Sequence, residues 1–356
     1  MENAKREGQR QEIPEVRGPP DFGNLLAVLS RSKPARPTLF EFFLNGRLYR
    51  KLTADTIPDP DRVTEEMLRM QAFRGAGYDY ATVRLPGFGF AAGEVRTAST
   101  RSLNEGAVIT DRASFDAYEW PDPRDARYDV LDALAAALPA GMKLIVCTPG
   151  GVLENVVKLV GFENLCFMTV DDETLVFDVF EAVGSRLVRF YEHCVSHEAV
   201  GAVIGNDDWG FKSQTMLPPE QLRRFVFPWH KQIVRTAHAA GKPAVLHSCG
   251  QLQAVMDDII DDMRYDGKHS YEDAIQPVEE AYDQYHDRIA ILGGIDVDFV
   301  CRSTPEAVHK RAEKMLARAE RDGAYALGTG NSVPDYVPDE QYFSLISAAL
   351  EQRAAV

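Results

Sequence analysis

A histidine and a cysteine two residues apart, His247 and Cys249, are the residues of this sequence whose types and spacing most clearly suit chemistry. They follow an apolar run, Ala244, Val245 and Leu246, which predicts a buried strand. Because alternate side chains of an extended chain point to the same side, we expect the imidazole and the thiol to face one way at the strand's carboxyl end. One nitrogen and one sulfur ligand suit zinc better than calcium or magnesium, so the pair predicts a zinc site.

The same two residues also have a purely structural interpretation. A cysteine is often a small buried hydrophobic residue, and a histidine in a core is often held by hydrogen bonds. An isolated His-x-Cys pattern does not separate the two interpretations. The polar residues that follow the other predicted strands bear on the choice.

Two adjacent carboxylates, Asp207 and Asp208, follow another apolar run, residues 200–205. Carboxylates at such a place can bind a metal or act as a general acid or base, and both are candidate catalytic residues. They can equally cap a helix or bind a backbone turn. Trp209 comes next and is a candidate wall of an apolar pocket for a large planar cofactor, although an aromatic residue after a strand is also an ordinary core residue.

Three further strand ends carry polar residues. His269 and Glu272 follow a short predicted strand, where they either complete a metal site or belong to a surface loop. Two other strands end in glycine-containing segments, and glycines let a ligand approach the backbone closely. His269 is therefore a third candidate catalytic residue. The candidate substrate- or cofactor-binding residues, with Trp209, are Glu272, Asp296, Thr329 and Asn331.

Short apolar runs, each followed by a helical pattern, recur along the whole chain. Eight strands alternating with helices predict an α/β fold of the (β/α)₈ TIM-barrel type, whose chemistry lies at the carboxyl ends of the strands. An open doubly wound sheet is the alternative, and it is disfavoured because no Gly-x-Gly-x-x-Gly follows the first strand. The predicted strands are 38–43, 80–85, 143–147, 200–205, 243–247, 267–270, 289–293 and 324–328, and the clearest helices are 172–193, 220–240, 305–321 and 338–351.

The alternation is interrupted near residues 93–120. Two short runs there, 94–97 and 107–110, predict a β-hairpin insertion that turns across residues 104–106. Residues 1–20 are polar and charged without an apolar core, which predicts a disordered tail and no secretion signal. No linker-like composition divides the rest, so a single domain is predicted over residues 21–356.

Composition limits the classes of partner. The chain has 54 acidic and 39 basic residues, a formal charge of −15, and no Lys/Arg-rich run, which argues against nucleic acid and against an anionic membrane surface. No apolar stretch approaches the length of a membrane span. Five scattered cysteines without a Cys-x-x-Cys pair are typical of a reducing cytoplasm. These features predict a cytoplasmic protein that acts on a small molecule.

Three segments resemble the uroporphyrinogen decarboxylase superfamily. They are GKPAVLHSCGQL at 241–252, ILGGID at 291–296 and LGTGNSVPDYVP at 327–338, within a resemblance that spans residues 37–350. The resemblance implies a TIM barrel. It also implies one of two activities, because the superfamily contains decarboxylases that need no metal or cofactor and zinc-dependent methyltransferases that work with a corrinoid.

The details of the resemblance favour the methyltransferases. The decarboxylases share an arginine-rich segment, Met-Arg-Gln-Ala-Gly-Arg-Tyr, and an aspartate after the following strand; both are absent here, although Arg47 and Arg50 lie near the first position. The methyltransferases share a His-x-Cys metal motif, which His247 and Cys249 match. Their third ligand is a cysteine in a late Gly-Cys-Gly, where this chain has Thr329. A third ligand here must come from another side chain, and the candidates are Asp207, Asp208 (which we favour), His269, Glu272 and Asp296.

Three functional hypotheses follow. The first is a zinc-dependent methyltransferase that moves a methyl group between a corrinoid (cobalamin) and a thiol or similar nucleophile, with a corrinoid protein as candidate partner. The second is metal-free decarboxylation of a tetrapyrrole or other carboxylated substrate, with Arg47, Arg50 or Arg84 binding carboxylates and Asp207 or Asp208 moving a proton. The third is a non-catalytic corrinoid- or tetrapyrrole-binding protein.

Overall fold

The computed structural model describes residues 13–93 and 102–354 of the chain. A seven-stranded parallel sheet lies at its centre, and each strand pairs with the next one along the chain. All seven strands lie within two residues of a predicted strand at each end. They are β1 (Tyr80–Arg84), β2 (Lys143–Cys147), β3 (Val200–Asn206), β4 (Ala244–His247), β5 (Gly267–His269), β6 (Ala290–Leu292) and β7 (Tyr325–Ala326).

Helices pack against this sheet, with α3 on β1, α8 and α10 on β3, and α11 on β6. Strands covered in this way are apolar over nearly their whole length, as in β2, because a parallel sheet is buried on both faces. The helices are α1 (Gly23–Leu29), α2 (Gly46–Leu52), α3 (Glu65–Gly75), α4 (Arg112–Ala117), α5 (Asp129–Ala137), α6 (Val152–Val160), α7 (Phe162–Asp171), α8 (Glu173–Val195), α9 (Pro219–Gln221), α10 (Phe227–Ala239), α11 (Val278–Tyr285), α12 (Val297–Arg302), α13 (Pro305–Ala319) and α14 (Asp339–Ala354).

Two predicted helices show how local sequence sets helix boundaries. The Thr304 hydroxyl accepts a hydrogen bond from the Ala307 amide at 3.3 Å and so caps α13, as the Thr-Pro pair predicts. The helix predicted over 220–240 is interrupted by a π-helical turn at Leu222–Val226. Pro228 explains the break, because it cannot donate the amide hydrogen that a regular turn needs there.

The one predicted strand that is not among these seven, 38–43, forms only a single β-bridge. Leu39 pairs with Leu327 just beyond β7, and the Phe40 amide donates to the Leu327 carbonyl at 2.8 Å. On the other side of this segment, the Tyr80 hydroxyl of β1 is hydrogen-bonded to the Glu41 backbone. The segment therefore lies between the last and the first strand of a curled sheet, and the TIM-barrel-like α/β fold is confirmed.

The second of the two runs that predict a β-hairpin does not form a strand. Residues 94–97 lie outside the described residues, and residues 107–110 form no strand. The amides of Val108 and Ile109 donate instead to the Leu159 carbonyl near the end of α6, which satisfies the backbone without a partner strand. Residues 1–12 of the predicted tail also lie outside the described residues. No helix within 13–93 or 102–354 is long and apolar enough to cross a membrane.

Candidate metal centre at the carboxyl end of the sheet

The predicted histidine–cysteine pair lies where β4 ends. His247 is the last residue of β4, in register with Asn206 of β3 on one side and His269 of β5 on the other. Its Nε2 atom is 3.9 Å from the Sγ atom of Cys249. The two side chains thus face the same side, as the spacing predicts.

A carboxylate joins this pair. Asp208 Oδ1 accepts a hydrogen bond of 2.8 Å from the Cys249 amide, which ties the end of β3 to the end of β4. Within the described ranges, one donor atom each from Asp208, His247 and Cys249 lies within 4.8 Å of the other two. Ligand atoms of a tetrahedral zinc site lie about 3.5 Å apart, given metal–ligand bonds of about 2.0–2.3 Å. The three side chains fit such a site after a small contraction and leave a fourth position open.

The hydrogen-bond network determines which nitrogen of His247 is free. Burial lowers the pKa of His269 to about 3 and that of His247 well below its ordinary value, so both rings are neutral at pH 7. His269 Nε2 lies 3.2 Å from the Thr329 carbonyl, which can only accept, so this nitrogen carries the proton. His269 Nδ1 must then accept from His247 Nδ1, 2.8 Å away. This assigns an unprotonated Nε2 to His247, the form that binds a metal ion.

The sulfur of Cys249 is surrounded by donors. Ser270 Oγ and Asn331 Nδ2 lie 3.2 and 3.3 Å from it. Asn331 is held with its amide nitrogen toward the sulfur because its Oδ1 accepts from the Ser332 amide at 2.7 Å. Burial, followed by the charge of Asp208, raises the pKa of Cys249 to about 12. The thiol therefore stays protonated until a cation binds, and two donors are already in place for the thiolate.

Thr329, at the position where the sequence resemblance implies a cysteine, turns its side chain away from this centre. Its amide donates to Glu41 Oε1 at 2.6 Å, and its hydroxyl lies 2.8 Å from Glu41 Oε2 and 2.5 Å from the Asn331 carbonyl. The hydroxyl has one proton for two acceptors, so a protonated Glu41 satisfies the whole set. Burial raises the pKa of Glu41 to about 8, which agrees with that assignment.

Replacing Glu41 with glutamine is expected to change how stability depends on pH. The folded-state pKa of about 8 lies above the ordinary value of 4.5, so the native state retains a proton that the unfolded chain has lost. The free energy of unfolding of the wild type should therefore fall as pH rises from 4.5 to 8, by up to about 1.4 kcal/mol per pH unit from this group. Denaturant titrations at pH 5, 6, 7 and 8 should show a flatter profile for Glu41→Gln, and parallel profiles would contradict a raised Glu41 pKa.

Asp207 lies behind the centre and not in it. Its two carboxylate oxygens accept from the Leu153 and Glu154 amides at the start of α6, each at 2.9 Å, and one of them also bonds to His230 at 2.9 Å. The carboxylate is fully buried, and a side chain at Gly151 would collide with it. The structure thus gives Asp207 the helix-capping alternative, because both of its carboxylate oxygens are already engaged.

Trp209 is also placed in the core and not along a pocket. It is fully buried, with its ring centroid 5.0 Å from that of Phe227 and 4.8 Å from that of His230. The expectation that it lines a cofactor pocket is therefore corrected. The ordinary interpretation of an aromatic residue after a strand applies because α10 packs over the end of β3 at this point.

Two other predicted residues lie beside the centre without joining it. Asp296 caps α12, because its two oxygens accept from the Phe299 and Asp273 amides at 2.8 Å each. Glu272 lines a cleft of about 580 Å³ that also reaches Asp296 and Asn331. Glu272 and Asn331 therefore remain candidate substrate contacts, whereas the carboxylate of Asp296 is already engaged.

A second cleft opens on the other side of the donor set. It has a volume of about 440 Å³ and is lined by Asp208, Glu154, Phe211 and Met216 among others. Burial, followed by the charges of Asp207 and Asp208, raises the pKa of Glu154. A carboxyl group so perturbed in a cleft is a typical functional residue.

Sequence reasoning missed Glu41, Glu154 and Ser270. Glu41 had a signal, since it is the one charged residue in the apolar run 39–43. Glu154 stands three residues after Gly151 and accepts from its amide at 2.8 Å, a pattern typical of a helix start. Ser270 had no distinguishing signal, because its role depends on β4 and β5 lying side by side.

Comparison with known proteins gives a family and a fold. The family model for uroporphyrinogen decarboxylase (URO-D) matches residues 101–352. A methyltransferase from Methanosarcina mazei is similar in structure, with a TM-score of 0.66 and 15% identity over 92% of this chain and 97% of that one. A proposed vitamin-B12-independent methionine synthase from Listeria monocytogenes aligns over 95% of this chain and 99% of that one, with a TM-score of 0.41 and 11% identity. The search of curated proteins gave no match.

These findings carry different weight. At 15% identity, the similarity to the methyltransferase establishes the shared fold alone. The URO-D model covers well over half of the sequence, including all of β2 to β7 and the three donor residues. The chain belongs to the uroporphyrinogen decarboxylase family.

Proposed function

We propose that this protein is a zinc-dependent methyltransferase that moves a methyl group between a corrinoid and a thiol or similar nucleophile. The observation that carries the proposal is the donor set itself. An unprotonated imidazole nitrogen, a cysteine sulfur with two donors around it, and a carboxylate oxygen meet at the carboxyl end of the sheet. Nitrogen and sulfur ligands with one open position are typical of catalytic zinc.

The side chains divide the work at this centre. The metal would be held by His247, Cys249 and Asp208. His269 orients the His247 ring through a hydrogen bond, and the Asn331 amide nitrogen faces the Cys249 sulfur. When bound, zinc supplies the positive charge that stabilises a thiolate at neutral pH. Glu154 lies in the 440 Å³ cleft beside Asp208, where its raised pKa makes it a holder of a proton at neutral pH.

We further propose a corrinoid protein as the methyl carrier and the cytoplasm as the compartment. The five cysteines within the described residues are all free, which supports a reducing environment. The excess of acidic residues argues against nucleic acid as a partner and leaves a small molecule as the substrate.

Two measurements test the proposed function. The first is zinc content by elemental mass spectrometry after reconstitution and desalting, where we expect about one ion per chain, since there is one donor set. The second is methyl transfer from methylcobalamin to 2-mercaptoethanol or 3-mercaptopropionate, followed by mass spectrometry of the methyl thioether. A folded protein that binds no zinc would overturn the proposal.

Decarboxylation is the second candidate function, and it needs arginines that are free to bind the carboxylates of a substrate. Arg47 is bound to Asp339 and to the carbonyls of Asp335 and Val337, so its guanidinium is already engaged. Arg50 and Arg84 do line one cleft. Release of CO₂ from uroporphyrinogen by zinc-free protein would establish this activity in place of methyl transfer.

A further inference from the structure

A buried lysine beside the metal centre is bonded to the backbone and not to a carboxylate. Lys268, the middle residue of β5, is 4% exposed. Its Nζ atom donates to the Ser270 carbonyl at 2.7 Å and lies 4.2 Å from the centre of the Tyr271 ring. Burial lowers the pKa of Lys268 to about 8, so most of the ammonium stays protonated at pH 7. A buried charge that is bonded only to a neutral carbonyl is costly, so this lysine needs an explanation other than stability.

The residue that accepts from Lys268 has an unusual backbone conformation. Ser270 is buried and has a φ of 87°, in the left-handed region that favours glycine. The peptide unit that follows it is held at both ends, because its carbonyl accepts from Lys268 and its N–H, that of Tyr271, donates to the Gly330 carbonyl at 3.0 Å. Residues in such conformations persist only where their surroundings fix them, and they cluster at functional sites.

The conformation of Ser270 directs its hydroxyl toward the sulfur of Cys249. Ser270 Oγ lies 3.2 Å from Cys249 Sγ, and the preceding residue, His269, bonds to His247. Adjacent side chains of a regular strand point to opposite faces, so an extended Ser270 would point away from the centre that His269 faces. The positive φ explains how two successive residues both reach the donor set.

The segment that holds the Tyr271 amide also supplies the second donor to the sulfur. Asn331 Nδ2, 3.3 Å from Cys249 Sγ, directly follows Gly330. A Cβ atom at Gly330 would lie 2.1 Å from the Tyr271 carbonyl oxygen, so only glycine permits the two segments to come this close. The two donors therefore belong to segments that are bonded to each other.

We propose that Lys268 is a positioning residue of the metal centre, whose ammonium holds Ser270 in the left-handed conformation that keeps the serine hydroxyl at the Cys249 sulfur. A donor at the sulfur favours the thiolate, which is the form that binds a metal ion. Lys268 acts through Ser270 and is not a ligand. The inference rests on the proposed function for the metal, but not for the conformation of Ser270.

Two substitutions at Ser270 test its conformation in zinc-free protein. Ser270→Ala and Ser270→Gly both remove the hydroxyl, but only glycine adopts a positive φ without steric cost. We expect the glycine variant to unfold at a higher temperature than the alanine variant, the reverse of the order within ordinary strands. Arg264, which is exposed and has a φ of 65°, is the matched control, since its glycine and alanine variants should show the same order.

Zinc affinity tests whether Lys268 acts through Ser270. In competition with a chromogenic chelator, Ser270→Ala and Lys268→Met should each bind zinc about tenfold more weakly than the wild type, as is typical of residues that orient a ligand. Methionine keeps the length of the lysine side chain without its charge. The double variant should be no weaker than either single variant, because both changes remove one contact. Arg264→Ala should bind zinc as the wild type does.

The sign of the Lys268 effect separates positioning from simple repulsion. An ammonium that only repels a cation would make Lys268→Met bind zinc more tightly than the wild type. That result, additive losses in the double variant, or a Ser270→Ala variant at least as stable as Ser270→Gly would overturn the inference while a normal zinc content leaves the proposed function intact. A folded wild type without zinc would overturn the proposed function, and the role of Lys268 at a metal with it.

Discussion

A Cys249→Ala variant is expected to purify with almost no zinc and to lose methyl transfer. The thiol supplies the one sulfur donor of the centre, and the remaining imidazole and carboxylate leave a site with two ligands. Loss of residues that only orient a ligand typically costs 10- to 100-fold in metal affinity or activity, so loss of a ligand should cost at least about 100-fold. Elemental mass spectrometry and the rate of methyl thioether formation measure the two effects.

Cys166→Ala is the matched control, since Cys166 is exposed on α7 and lies outside the donor set. It should keep full zinc content and rate. The Cys249 variant should also keep the unfolding midpoint close to that of the wild type, because alanine fills part of the same space without a new polar group. Full zinc and full activity in Cys249→Ala would remove the metal centre from the proposed function.

The features of the fold that depend on local sequence were predictable. The runs 144–147 and 200–205 are continuously apolar, as expected of short strands that are buried on both faces of a parallel sheet. The pairing of His247 with Cys249 was predictable for the same reason, because side-chain direction in an extended chain alternates with each residue. The eighth strand, 38–43, was only partly predictable, since the composition of this segment does not show that a single bridge to Leu327 suffices.

The choice between adjacent carboxylates was open to sequence reasoning only in part. Asp207 and Asp208 are successive residues, so their side chains point to opposite sides and only one can face the metal centre. Which one does so depends on α6, because its first amides donate hydrogen bonds to Asp207. Asp208 accepts instead from the Cys249 amide. No local sequence pattern shows where the start of α6 lies relative to the end of β3.

The other side-chain environments were not predictable, because they depend on contacts between distant parts of the chain. Glu41 and Thr329 are 288 residues apart, and their hydrogen bonds exist only because the segment at 38–40 lies beside β7. His230 of α10 is buried and bonded to Asp207 and Tyr265, partners that its helical pattern does not identify. Arg69 likewise lies on an ordinary helix in the sequence, and only the packing against Phe43 and Tyr49 shows its buried charge.

Thr329 explains how the proposed centre can lack the second cysteine that the sequence resemblance implies. Its side chain serves Glu41 and Asn331, while its carbonyl fixes the His269 tautomer. In the proposed centre, a residue that orients others therefore stands where the resemblance implies a second thiolate, and Asp208 is the candidate third donor. An N, S, O set is harder than one with two thiolates and carries the same formal charge, so zinc affinity depends more on how well the ligands are held.

A His269→Phe variant is therefore expected to weaken zinc binding by about 10- to 100-fold although His269 is not a ligand. Phenylalanine keeps a ring in the position that packs 5.0 Å from the His247 ring, but it offers no acceptor for His247 Nδ1–H. The His247 ring then loses the bond that fixes its tautomer and orientation. Competition with a chromogenic chelator measures the affinity, and the methyl transfer rate at saturating zinc should recover in part.

His269→Gln separates orientation from packing. Its amide can donate to the Thr329 carbonyl and accept from His247 at once, so it should restore most of the zinc affinity that phenylalanine removes. His309→Phe is the control, because His309 lies on α13, bonds to the Ser344 carbonyl of α14 and is outside the donor set, so this variant should leave affinity unchanged. Equal zinc affinity in wild type and His269→Phe would mean that His247 does not depend on His269 for its free nitrogen.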